Sequence, residues 1–140
     1  MDDDVRAAPL PPAPVTDDED TGGYWQAAAE GRLVVRTCVS CGGVLHLPKP
    51  YCHHCGSWDT SWREARSTGT LYSWTVVHHQ IHAAFPTPYT VVLVELDDPP
   101  GVRLIGHLES TPELHEGMAM QVRFHEVVPG ATIPDWEVAP

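Results

Sequence analysis

Positive charge is what this sequence has least of. Its 140 residues hold 8 lysines and arginines against 19 aspartates and glutamates, a formal net charge of −11 with the nine histidines neutral, and Lys49 is the only lysine. Nucleic-acid affinity rests on cations displacing counterions from phosphate, so this balance weighs against a nucleic-acid partner. No apolar run approaches the ~18 residues of a membrane-spanning helix, and Met1-Asp2-Asp3-Asp4 is acidic where an export signal would be basic and then greasy. A soluble, cytoplasmic protein without membrane contact is expected. There is no serine elbow, no glycine-rich phosphate loop and no telling pair of carboxylates. Catalysis by this chain alone is therefore not expected, and no catalytic residue is assigned.

What is present is enough apolar material, 42% of residues, for one compact domain or two very small ones. The charge is uneven. Residues 1–20 carry seven acidic side chains and one basic one, with Pro9, Pro11, Pro12 and Pro14 and almost no large apolar side chain. Such a segment cannot offset its own ordering entropy, so residues 1–21 read as a disordered acidic, proline-rich tail, either a solvated arm, a partner-binding arm or a linker. Tyr24-Trp25-Gln26-Ala27-Ala28-Ala29-Glu30 then favours a short helix that Gly31 ends. Two turns are marginal alone, so Tyr24 and Trp25 must dock, on their own domain or along a partner or ligand groove.

The four cysteines fall in one stretch as two Cys-x-x-Cys elements, Cys38-Val39-Ser40-Cys41 and Cys52-His53-His54-Cys55, each followed by glycine. Each element turns tightly enough to aim two thiolates at one point, and two of them complete a tetrahedron around Zn²⁺. Disulfides would need an oxidising compartment, and a lone redox pair would not be duplicated at this spacing; iron is a weaker alternative to zinc. With four protein thiolates the site has no open position, so the metal's role is structural. His53 and His54 read as exposed fillers. Strand-like segments at residues 32–37 and 44–47 flank the cysteines, so residues 22–66 read as a helix and a rubredoxin-like zinc ribbon.

From Gly69 the pattern changes to short strands between proline and glycine turns: residues 70–78, 89–96, 102–108, 120–125 and 133–138, with a short helical turn expected at 111–117. Five antiparallel strands in about seventy residues fit an OB-type barrel over residues 67–140 better than a sandwich. The protein is thus expected to be mainly β. His78, His79 and His82 cluster after the first of these strands, but no neighbouring carboxylate or cysteine completes a site. Residues 81–89 form an apolar, proline-stiffened loop around Phe85, the kind of surface that meets a partner.

The order Tyr24-Trp25, Glu30-Gly31-Arg32-Leu33, Arg36-x-Cys-x-x-Cys-Gly, Cys-x-x-Cys-Gly-Ser (Cys52 to Ser57), Gly69-Thr70-Leu71-Tyr72-Ser73-Trp74 and Pro88-Tyr89 resembles the zinc-ribbon plus OB-fold acyl-CoA-associated proteins, a former domain of unknown function. The resemblance runs from about residue 23 to the end. It departs from the family at His53-His54, where proline is frequent, and in the loop from His78 to His82. It implies an accessory, non-catalytic subunit of a thiolase-fold acyl-CoA enzyme. Most concretely it implies a partner of a thiolase-like, lipid-transfer-protein-like aldolase that cleaves a steroid side-chain acyl-CoA by a retro-aldol step. Tyr24, Trp25 and Phe85 would then face the partner or the acyl-CoA. Two other readings remain open: a subunit of an acyl-CoA hydratase or acyltransferase complex, and a nucleic-acid-binding module, which scattered arginines do not favour.

Overall fold

The computed structural model describes residues 9–140; the first eight residues of the acidic segment, and what was expected of them, lie outside the described residues. One helix and eight strands follow in order: α1 (Gly22–Ala29), β1 (Val34–Cys38), β2 (Val44–Leu45), β3 (Thr60–Glu64), β4 (Thr68–Val77), β5 (Tyr89–Leu96), β6 (Arg103–Leu108), β7 (Ala119–Val128) and β8 (Ala131–Val138). They make two antiparallel sheets, β2-β1-β3 and β6-β5-β4-β7-β8. The chain is mainly β, a zinc ribbon followed by an OB-fold.

Composition alone explains β5. YTVVLVEL is apolar nearly throughout, yet only Thr90, Val92, Val94 and Leu96 are buried, and the residues between them face outward. The period of two persists because the barrel covers one face of the strand completely and the other only in part. The buried face joins Leu71, Met120, Val102 and Trp136 in one cluster, and Leu33, Val35 and Ala65 of the ribbon belong to the same cluster. Ribbon and barrel therefore share a hydrophobic core. Each is smaller than the size at which burial alone normally holds a domain together.

α1 is tied at both ends. Asp18 accepts the Thr21 N–H at 2.7 Å, and Trp25 Nε1 donates to Thr21 Oγ1 at 3.2 Å. Gly31 closes the helix with φ of 73°, the left-handed conformation that glycine adopts without strain. The end of the acidic segment makes defined contacts: Arg36 donates to the Glu19 and Asp20 carbonyls, and Lys49 pairs with Asp20 at 2.9 Å.

Two local expectations fail. Residues 111–117 form no helical turn; residues 111–115 take no regular structure before a turn at Glu116–Gly117. Leu114 and Met118 instead pack against the barrel core. The strand expected at residues 44–47 stops at Leu45 ahead of Pro48 and Pro50, and the third ribbon strand, β3, was not expected at all.

Candidate functional site

The two Cys-x-x-Cys turns are built alike. Gly42 N donates to the Cys38 carbonyl and Gly56 N to the Cys52 carbonyl, both at 2.8 Å, and the glycines take φ of 74° and 80°. Each turn thereby points two sulfurs the same way, and the four Sγ atoms all lie within 4.8 Å of one another. Cys38 Sγ is 3.6 Å from Cys55 Sγ, and Cys41 Sγ is 3.7 Å from Cys52 Sγ. A tetrahedron with Zn–S bonds of about 2.3 Å has edges of about 3.8 Å, so the sulfurs fit zinc. Cys38 and Cys52 are buried with Leu45, whereas Cys41 and Cys55 are exposed.

The metal-free thiols differ in acidity. Cys38 is drawn down to about 6, first by the Cys41 N–H, which lies 3.5 Å from its sulfur. Cys55 is pushed up to about 12: the Ser57 N–H pulls it down, but Cys38, burial and the remaining sulfurs outweigh that pull. Four thiolates at this spacing need a cation among them. His54 does not ligate; its ring lies over Gly43, where an added Cβ would come within 2.7 Å of it.

The residues expected to face a partner or acyl-CoA fall on two cavities. Tyr24 and Trp25, with Trp62, Leu47 and Arg103, line a mostly apolar cavity of about 370 Å³ between α1, the ribbon and the barrel. Phe85 lines a second, of about 750 Å³, beside the line along which β6 meets β7 and β8. The two meet at Ile105, which is 70% exposed. Tyr24 also packs on the barrel core, and burial, then the Asp135 carboxylate, pushes the pKa of its hydroxyl well up. His78 and His79 are exposed, His82 Nδ1 accepts the Ala84 N–H at 3.1 Å, and none of the three belongs to a metal-ligand group among the described residues.

A polar cluster that sequence reasoning missed lies in the larger cavity. Asp135 of β8 is 6% exposed; its Oδ1 accepts the His107 N–H at 2.6 Å and the Trp136 N–H at 2.9 Å, and its Oδ2 lies 3.2 Å from His125 Nε2. No local signal in the sequence joins these residues, because β6, β7 and β8 bring them together.

A closed four-thiolate ribbon whose core runs into a five-stranded OB barrel defines a two-module β protein with a structural zinc site. The chain belongs to the ChsH2 family: residues 25–59 match its rubredoxin-like zinc ribbon domain and residues 62–125 its C-terminal OB-fold domain. It is similar to a solved chain of an Ltp2-ChsH2(DUF35) aldolase, at 36% identity and a TM-score of 0.80 over 89% of this chain and 98% of that one. A DUF35-family protein of unknown function from Sulfolobus solfataricus shares the fold, with a TM-score of 0.55 at 13% identity over 84% of this chain and 83% of that one. Among curated proteins, it is 39% identical over 117 residues to a probable enoyl-CoA hydratase alpha subunit of Thermomonospora curvata, covering 82% of this chain. It is 25% identical over 119 residues, 85% of this chain, to the 3-oxo-4,17-pregnadiene-20-carboxyl-CoA hydratase alpha subunit of Mycobacterium tuberculosis. The chain spans 36% of the length of each of these two relatives.

Proposed function

We propose that this chain is the non-catalytic subunit of a cytoplasmic acyl-CoA lyase, in which a thiolase-like, lipid-transfer-protein-like aldolase subunit performs the retro-aldol cleavage of a steroid side-chain acyl-CoA. The observation that carries the reading is the fold match along 98% of a chain in an Ltp2-ChsH2(DUF35) aldolase. In such a cleavage the substrate hydroxyl gives up its proton, the bond to the thioester's α-carbon breaks, and the resulting enolate is protonated. The partner supplies the groups for those proton transfers. This chain supplies surface: the cavity beside Tyr24 and Trp25 and the loop around Phe85, with Leu47 75% and Ile105 70% exposed, are where it meets the partner or the acyl-CoA. Its cations are largely committed within the chain, Arg32 to Glu30, Lys49 to Asp20, Arg63 to Asp98 and Arg103 to Glu95, which supports a protein partner over nucleic acid.

The test is co-expression with a thiolase-like aldolase subunit, followed by gel filtration and an assay of retro-aldol cleavage. Co-elution and an activity absent from either chain alone are expected. Turnover by the isolated zinc-loaded chain would overturn the reading. The two hydratase alpha subunits it resembles favour a second assembly, with an acyl-CoA hydratase. Co-elution with a hydratase subunit, together with hydration of an enoyl-CoA, would favour that one.

A further inference from the structure

The segment ahead of α1 has a conformation of its own. Four of the six residues from Pro9 to Pro14 are proline. Each ring fixes φ at about −65°, and each proline also holds the residue before it in extended or polyproline II backbone, so Leu10, Pro11 and Ala13 are restricted twice over or by their neighbours. Covalent structure alone therefore favours a polyproline II helix, which has about three residues per turn. Burial follows that period: Pro11 and Pro14 are half-buried, whereas Leu10, Pro12 and Ala13 are exposed.

This segment reaches the outward face of the barrel sheet. Pro11 and Pro12 share with Phe85, Pro86, Ile105 and Ile133 the wall of the cavity of about 750 Å³. Phe85, Tyr89 and His107 form one aromatic group there, with ring centroids 4.7–6.4 Å apart, and Phe85 and His107 line the cavity. Ile105 pairs with Leu93 across the strands and is 70% exposed, so an apolar surface continues along the sheet. An aromatic and apolar groove of this kind is how proline-rich segments are recognised, because their rings bind at little cost in ordering entropy.

The attachment is one of side chains. No backbone hydrogen bond outside the helices and strands joins residues 9–16 to another described residue. Charge selects which part of the segment can lie there. Glu109, Glu126 and Asp135 line the cavity, and no lysine or arginine among the described residues does. Residues 9–16 carry no charge, whereas Asp17, Asp18, Glu19 and Asp20 follow at once. The uncharged stretch meets the groove, and the acidic one stays out of its wall.

We propose that this outward groove is a recognition site for polyproline II backbone and that its occupant is the chain's own segment Pro9–Pro14. The segment is exchangeable: the same sequence supplied in trans takes its place once the chain's own copy is loosened. The inference does not rest on the proposed lyase complex.

The zinc-loaded full chain, labelled with ¹⁵N, carries the test. In the wild type the Leu10 and Ala13 amides should show order parameters above about 0.6, the level below which backbone counts as flexible. Pro11→Gly/Pro14→Gly removes the two half-buried rings and should bring both amides below about 0.6, with the core amides of Leu71 and Val94 unmoved. A capped peptide of residues 9–15 should then give saturable shifts at Phe85, Ile105 and Ile133 of the double variant. It should bind the wild type at least about tenfold more weakly, because the tethered segment competes at high effective concentration. The same peptide with both glycine substitutions should give no saturable shift. The proposal is overturned by wild-type order parameters already below about 0.6, by an absence of saturable shifts in the double variant, by equal affinity for wild type and double variant, or by equal binding of the glycine-substituted peptide.

Discussion

The His107 backbone N–H donates to Asp135 Oδ1 at 2.6 Å, joining β6 to β8 where the order β6-β5-β4-β7-β8 brings the two outer strands of the sheet together. The same oxygen accepts the Trp136 N–H, and the other lies beside His125, so one buried carboxylate ties together residues of three strands. The seam is a side-chain substitute for a strand pair. It leaves Gly106 directly against β8.

Removing the carboxylate should therefore open the barrel. Asp135→Ala strands two backbone N–H groups in a buried place and should destabilise the protein by about 2–5 kcal/mol, read from urea denaturation. Asp135→Asn keeps an acceptor oxygen and should lose about 1 kcal/mol. Equal losses in the two variants would show that the N–H groups are not what the carboxylate holds.

Gly106 tests the same seam by volume. A Cβ at this position would lie 2.5 Å from Trp136 Cδ1 and 2.8 Å from Asp135 Oδ1, closer than real contacts allow. Gly106→Ala should cost about 1–3 kcal/mol by overpacking. In the Asp135→Ala background the loss should be smaller than the sum of the two, because both changes strain one contact.

The sequence exposes some of this architecture and hides the rest for identifiable reasons. The bounds of β5 are legible because Pro88 precedes it, Asp97-Asp98-Pro99-Pro100-Gly101 follows it, and β-branched residues fill it. The metal centre is legible because its four ligands are local and paired. β3 is not, since Thr60-Ser61-Trp62-Arg63-Glu64 reads as polar and buries little; it becomes a strand by pairing along all of β1, from Val34↔Glu64 to Cys38↔Thr60. Trp62 nonetheless matters, for its indole lies so close over Gly23 that no side chain fits there. The Asp135 cluster is hidden because its members belong to three strands, and a lone histidine or aspartate carries no sign of its partners. The helical turn expected at 111–117 shows the converse. A local pattern of Thr-Pro-Glu ending in glycine yields to the pull of Leu114 and Met118 into the core.

Tyr24 gives the helix dock a pH signature. Burial, then the Asp135 carboxylate, raises the pKa of its hydroxyl in the folded state above the value of about 10 in the unfolded chain. A raised folded value means the contribution is complete below the unfolded pKa and is lost as pH climbs past it. Urea midpoints should therefore fall above about pH 10. Tyr24→Phe keeps the ring on the barrel core and removes the ionisation, so its midpoint should lose this alkaline decline. A wild-type decline that persists unchanged in Tyr24→Phe would assign it to other groups.

The metal centre should respond to acid in two stages. Zinc binds thiolates, so each thiol still protonated in the apo protein releases a proton when the metal enters, and affinity falls about tenfold per pH unit for each proton displaced. Near neutrality Cys38, drawn down to about 6, is already largely ionised, whereas Cys55, pushed up to about 12, is not. The slope of log Kd against pH, measured by competition with a chromophoric chelator, should therefore steepen by one proton as pH falls through about 6. Complete chelation at neutral pH should remove one zinc per chain. The ribbon sheet should unfold with it, and the shared core residues Leu33, Val35 and Ala65 should carry the loss into the barrel. A slope that stays constant through pH 6, with the other thiols unaltered, would place the first ionisation on a cysteine other than Cys38.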